Sequence, residues 1–216
     1  MKSMLRKKDN LKYSGLFIAI EGVDGSGLST QTKLVVDLLR LRELKAFATK
    51  EPTNNVVGGL IRGVLSGVTN FPAEGLQLLF AADRAHHLSR EVIPQLMEGN
   101  ILVSDRYFWT SVAYGGIAMD REWLLEVNDK FLVPDLTIFL DVSPKEALHR
   151  IKKDRFELEI FEHENQLLKV RQNYFWLMEQ SPKRFSVVKA VGDRDEIAKE
   201  IISAISVLPK FSKFKA

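Results

Sequence analysis

Nine consecutive residues, Gly22-Val23-Asp24-Gly25-Ser26-Gly27-Leu28-Ser29-Thr30, have the composition of an anion cradle. They follow the pattern G-x-x-x-x-G-K-[ST] at every position but the lysine, where Leu28 stands. Glycines let a backbone curl so that successive N–H groups turn inward on a phosphate. A helix beginning near Leu28 adds the positive end of its dipole, and Ser29 has the place of a hydroxyl ligand to Mg2+. Leu28 supplies neither charge nor donor, so the charge of a phosphate held here must be neutralised by other groups.

Further candidates come in short clusters. Lys50 lies in Thr49-Lys50-Glu51-Pro52, and Arg62 follows Gly59 by three residues. Phe80 and Arg84 are spaced i, i+4, which puts a ring and a guanidinium on one helix face. Asp105-Arg106-Tyr107 follows an apolar run and continues to Ser111 and Tyr114. Asp105 has the position of a Walker B carboxylate, which holds Mg2+ directly or through water. Arg150, Lys152, Lys153 and Arg155 form a basic cluster suited to a loop that closes over phosphates. With no cysteine there is no disulfide, thiol catalysis or thiolate metal site. The four histidines have no metal-ligand spacing.

These clusters need elements to position them. Five short apolar runs, Leu16–Ile20, Ala46–Thr49, Ile101–Ser104, Leu136–Leu140 and Phe185–Val188, read as strands buried on both faces. Helix-length spacers separate them, and Leu34, Leu38 and Leu41 recur at helical spacing. Strands alternating with helices predict a parallel sheet covered on both faces. Ligands bind beyond the carboxyl ends of such strands, and the candidate clusters fall there.

The 216 residues suit one domain, with 45% hydrophobic and 27% charged residues as in a globular protein. The net charge of +3 is unevenly placed: residues 1–14 carry a net four positive charges and 208–216 three, leaving the rest net negative. The basic excess therefore sits in two tails, expected to be solvated and flexible, with a single domain over 15–207 between them. A nucleic-acid binder should have a basic core, so no nucleic-acid partner is expected. No apolar run is long enough to span a bilayer, and no signal-peptide core follows the basic N-terminus. The expectation is a cytoplasmic protein with no membrane partner.

Taken in order, the phosphate loop, Thr49-Lys50-Glu51-Pro52, Leu78-Leu79-Phe80-Ala81-Ala82-Asp83-Arg84, Asp105-Arg106-Tyr107 with Ala113-Tyr114, and Arg150 through Glu157 resemble the thymidylate kinase family. The resemblance runs from about Phe17 to Lys199. It implies a three-layer P-loop kinase fold with a five-stranded parallel sheet and a short lid over about residues 149–160. It also implies ATP-dependent phosphorylation of dTMP with Mg2+, in a homodimer. By the same resemblance Gly22 through Thr30 bind the ATP phosphates, and Ser29 and Asp105 hold the metal. Lys50, Arg62 and Arg106 meet the acceptor phosphate, and Asp24 binds the 3′-hydroxyl. Phe80 stacks on the base, Arg84 and Ser111 contact its edge, and Tyr114 packs against the sugar. Arg106, Asp24 and Arg155 are the catalytic candidates. With Leu28 in the loop and Gly25 after Asp24, the lid cations Arg150, Lys152, Lys153 and Arg155 must supply the missing charge. Two other readings share the fold: a nucleotide-binding protein with weakened transfer, and a deoxynucleoside kinase. The latter would have no use for so many cations aimed at an acceptor phosphate.

Overall fold

The computed structural model describes residues 12–154 and 164–214. Its centre is a sheet of five parallel strands: β1 (Leu16–Gly22), β2 (Ala46–Lys50), β3 (Ile101–Asp105), β4 (Leu136–Asp141) and β5 (Phe185–Lys189). Their order is β2-β3-β1-β4-β5. Chain direction reverses its lateral path at β1, the kind of switch point where α/β sheets bind ligands.

Helix α1 (Leu28–Arg40) packs on β1, β2 and β3, and α9 (Arg194–Ser206) joins it on that face beside β5. The opposite face carries α4 (Ile93–Met97), α5 (Phe108–Gly115) and α8 (Glu164–Gln180). Between β2 and β3 lie α2 (Val56–Leu65) and α3 (Ala73–His87), and α3 runs through one π-helical turn, Leu88–Val92, into α4. Helices α6 (Arg121–Asn128) and α7 (Pro144–Asp154) flank β4 in sequence. Asn55 caps α2, Asp120 caps α6 and Asp193 caps α9, each side chain accepting a backbone N–H of the first turn.

All seven residues of β1 are buried, as continuous apolar runs in a central parallel strand should be. The expectation of two buried faces fails for β2 and β5. Only Ala46 and Val188 are fully buried there, while Phe47 and Val187 stay exposed. Both are edge strands with a single neighbour, so helices cover less of them. The stripe of α1 also differs from the expected one. Val35, Val36 and Leu39 enter the core, Leu34 and Leu38 lie at its margin, and Leu41 lies past the helix end and is exposed.

The C-terminal segment is not the solvated tail its charge suggests. Pro209–Phe214 forms 3-10 turns, Phe211 is buried in the core, and Lys210 pairs with Asp135 at 3.1 Å. Asp135 in turn accepts the Phe17 N–H at 2.8 Å, which ties the segment to the start of β1. At the other end Tyr13 already packs on the core; residues 1–11 lie outside the described residues. Phe211→Ala should therefore cost about 3 kcal/mol or more in chemical denaturation. A variant as stable as the parent would restore the reading of 208–216 as a free tail.

Candidate active site

The strand ends open into a cleft of about 780 Å³. Its walls include the phosphate loop, Lys50, Arg62, Phe80, Arg84, Arg106, Ser111, Tyr114 and Arg150. Asp105, Val191 and Arg194 complete its rim. Clusters far apart in sequence thus meet in one concavity, because every one of them follows a strand or lies on a helix that crosses the strand ends.

The loop from Val23 to Gly27 makes a tight reversal before α1. Gly25 and Gly27 have φ of 79° and 92°, a region other L-residues avoid. At Gly25 space is also decisive, since a Cβ would stand 2.4 Å from the Ala147 carbonyl oxygen of α7. Helix α7 is therefore packed directly on the loop, and Arg150, one turn after Ala147, reaches the cleft wall. Its Nε pairs with Glu146 at 2.8 Å. Leu28 is buried and belongs to the core cluster, although it also touches the cleft. Ser29 Oγ donates to Asp105 Oδ2 at 2.5 Å.

Asp24 joins the loop to the turn after β3. Arg106 donates through Nη2 to Asp24 Oδ1 and through Nη1 to the Gly22 carbonyl at 3.2 Å. The Tyr114 hydroxyl accepts the Asp24 N–H at 2.9 Å and donates to Asp24 Oδ2 at 2.8 Å. The Arg106 guanidinium lies 5.5 Å from the Tyr114 ring centroid. Burial opposes the charge on Arg106, but Asp24, with Tyr114, Tyr174 and Asp105 behind it, outweighs burial and holds the pKa well above the usual value. Burial, then the Asp24 charge, push the Tyr114 hydroxyl well above its usual value, so it remains a donor. Arg106 itself has φ 67°, a strained backbone for a residue with a Cβ. The turn is held by Arg106 N–H on the Ile20 carbonyl at 2.9 Å and by Ser104 Oγ on the Arg106 carbonyl at 2.6 Å.

Arg84 is more enclosed than a free base-reading arginine. Its Nε and Nη2 both meet Glu51 Oε2 at 2.8 Å, Nη1 donates to Asn128 at 2.5 Å and Nη2 to Ser111 at 3.1 Å. Of its five N–H groups, those four contacts leave one on Nη1. His87 Nδ1 lies 3.0 Å from the other Glu51 oxygen, and its Nε2 lies 2.7 Å from Thr49 Oγ1. Phe80 is half-buried on the cleft wall. Lys50 is exposed, and Arg62 donates to the Thr53 carbonyl at 2.5 Å.

The lid falls only partly within the described residues. Residues 149–154 are the end of α7; Arg155 lies outside the described residues, as do the side chains of Lys152 and Lys153. Past the lid, Arg171 makes a bidentate pair with Asp141 at 2.7 and 3.0 Å. That hydrogen bonding raises its pKa.

Sequence reasoning missed the support behind these side chains. Glu21 accepts the Tyr107 N–H and is met by the Thr110 and Tyr174 hydroxyls, Asn128 accepts from Arg84, and His87 meets Glu51. A carboxylate closing an apolar strand just before the phosphate loop is the signal that marks Glu21. Tyr174 and Asn128 reach the site from helices with no local signal.

The matched family model is that of thymidylate kinase, over residues 20–201. The chain belongs to the thymidylate kinase family. A probable thymidylate kinase of Thermococcus kodakarensis is 37% identical over 206 residues, covering 89% of this chain and 98% of the relative. One from Pyrococcus horikoshii is 39% identical, covering 88% and 96%. One from Pyrobaculum aerophilum is also 39% identical, covering 90% and 98%. The five parallel strands with helices on both faces are the P-loop kinase fold expected from the sequence. Among the described residues no helix is long and apolar enough to cross a membrane.

Gly25→Ala should weaken nucleotide binding by at least roughly tenfold, because the added methyl meets backbone and the φ is unfavourable. Titration of a fluorescent ATP analogue checks this; unchanged affinity would mean that α7 does not confine the loop.

Proposed function

We propose that this chain transfers the γ-phosphate of ATP to dTMP, giving ADP and dTDP. The observation that carries the proposal is the Asp24–Arg106 pair, which joins the phosphate loop to the Asp-Arg-Tyr turn inside one cleft. Family membership supports the same reaction.

Phosphoryl transfer asks a protein for position and charge neutralisation rather than covalent chemistry. Backbone N–H groups from Gly22 to Thr30 hold the donor phosphates at the start of α1. Lys50, Arg62 and Arg106 face the acceptor phosphate. Asp24 takes the 3′-hydroxyl, and Tyr114 packs beside the sugar carbon that a ribonucleotide would crowd. Phe80 stacks on the base, while Ser111 and the remaining Arg84 N–H meet its edge. Arg150, with Arg155, Lys152 and Lys153 beyond it, brings cations over the transferring group. The acceptor phosphate is already anionic near neutral pH, so no strong general base is required.

Ser29 Oγ and Asp105 would hold Mg2+. A hydroxyl and a carboxylate 2.5 Å apart are hard oxygen donors of the kind this ion uses when substrate phosphates complete its shell. Among the described residues no group of three or more His, Cys, Asp or Glu could form an all-protein cage. When bound, Mg2+ supplies neutralisation of the charge on the donor phosphate oxygens. A homodimer in the cytoplasm belongs to the same proposal, by the family resemblance.

A coupled ADP-release assay against a panel of nucleoside monophosphates tests the reaction. Turnover should be fastest with dTMP, then dUMP, and poor with purine monophosphates. Equal rates with dGMP or dAMP would refute the base site. Arg106→Ala should lower kcat/KM for dTMP by at least roughly 10²-fold while the fold survives. Activity within about threefold of the parent would remove Arg106 from the phosphate clamp.

A further inference from the structure

Glu21 is fully buried and is not part of the cleft wall, yet it touches what holds Arg106. Its Oε1 accepts the Tyr107 N–H at 2.8 Å. Its Oε2 lies 2.5 Å from Thr110 Oγ1 and 2.7 Å from the Tyr174 hydroxyl. Thr110 Oγ1 also lies 3.4 Å from Arg106 Nη1. The carboxyl therefore fixes the backbone just after Arg106 and the hydroxyl beside its guanidinium. That matters because Arg106 sits in a strained φ that its surroundings must maintain.

We propose that Glu21 is a positioning residue for the acceptor-phosphate clamp, and that it takes up a proton when an anionic phosphate docks on Arg106. This rests on the assignment of Arg106 made above. The first argument is a proton count. Glu21 Oε2, Thr110 Oγ1 and Tyr174 Oη form a triangle, closed by a 2.9 Å contact between the two hydroxyls. The hydroxyls bring two protons to three contacts when Glu21 is a carboxylate. A proton on Glu21 lets all three contacts carry a hydrogen.

The second argument is electrostatic. The groups facing Glu21 are Arg106 and the Tyr107 N–H from the turn, Thr110 from α5 and Tyr174 from α8, and beyond Arg106 stand Asp24, Tyr114 and Asp105. Tyr174 is pushed well above its usual pKa by burial and then by Glu21, so it stays a hydroxyl. Burial raises the Glu21 pKa to about 7, against hydrogen bonds from Thr110 and Tyr174 and the attraction of Arg106. A phosphate dianion brought to Arg106 places a second anion near Glu21 and offsets the charge that favoured its ionised form. Binding must then raise the affinity of Glu21 for a proton, and by linkage a proton on Glu21 must tighten binding.

The signs follow. The ordinary value of the Glu21 carboxyl is 4.5, and the folded value lies near 7. Between these the folded state holds more protons than the unfolded chain, so stability falls as pH rises toward the folded value. Affinity for dTMP should fall as pH rises above about 7, between the pKa of the free protein and the higher one of the complex, by no more than about tenfold per pH unit for one proton. The acceptor's own second ionisation, near pH 6, acts below this window and in the opposite sense.

The test is isothermal titration of the protein with dTMP from pH 7 to 8.5, at each pH in two buffers of different ionisation enthalpy. The parent should take up a fraction of a proton, and its Kd should weaken several-fold with rising pH. Glu21→Gln, a neutral isostere of the protonated acid, should bind without proton uptake and with a flat Kd. Its Tm should also lose the parent's decline between about pH 5 and 7. Tyr174→Phe removes one donor to the carboxylate and should move the binding transition to higher pH, which keeps the test decisive if Glu21→Gln fails to fold. Equal proton uptake in parent and Glu21→Gln, or a transition unmoved in Tyr174→Phe, overturns the proposal while leaving dTMP binding intact. No dTMP binding by the parent overturns the functional reading, and this proposal with it.

Discussion

The arrangement of the site depends on one ion pair, Arg106 with Asp24. It crosses from the turn after β3 to the phosphate loop after β1, two segments that the sheet register already brings level. A half-buried pair of this kind gains from Coulomb attraction only if its remaining donors and acceptors are satisfied. Here Tyr114 takes the second Asp24 oxygen and the Gly22 carbonyl takes another N–H of Arg106. The consequence is geometric: the phosphate loop and the Arg106 guanidinium, proposed above to hold the donor and acceptor phosphates, are set relative to each other by the protein's own contacts.

A second buried network does the same for the other end of the cleft. Glu51 draws Arg84 and His87 together from α3, and Asn128 and Ser111 complete the coordination of Arg84. Placing so many polar groups out of water is costly unless they satisfy one another. That mutual dependence fixes the rotamer of Arg84 and hence the direction of its remaining N–H. In the proposed reading this hydrogen-bonded wall faces the base, whereas Lys50 at the edge of the sheet is exposed and would follow the acceptor phosphate.

Much of this was legible in the sequence. Gly25, Gly27, Ser29, Asp105, Arg106 and Tyr114 are named by local pattern alone, and the strand ends bring them together in the cleft. The central strand β1 was readable because burial on both faces leaves no room for alternation. Edge strands β2 and β5 misled because an apolar run does not say how many neighbours it has. The burial of Phe211 depends on tertiary contacts, with α9 beside the segment and Asp135 pairing with Lys210, that no local pattern announces. Glu21 and Tyr174 were missed for a related reason: they act on Arg106 through the fold, and their sequence separation of 153 residues hides the pairing.

The departure at position 28 is the sharpest constraint on mechanism. Leu28 opens α1 and is packed into the core, so a neutral side chain there is part of the packing and not simply a missing contact. In the proposed mechanism backbone amides then hold the donor, and the charge of the transferring group would fall to Arg106 and to cations from α7, where Arg150 stands on the cleft wall. The most direct test is kcat for ATP and dTMP in the parent and in Leu28→Lys. The account predicts measurable turnover by the parent and a change within about threefold on adding the lysine. A parent with negligible kcat that Leu28→Lys raises by roughly 10²-fold or more would contradict it.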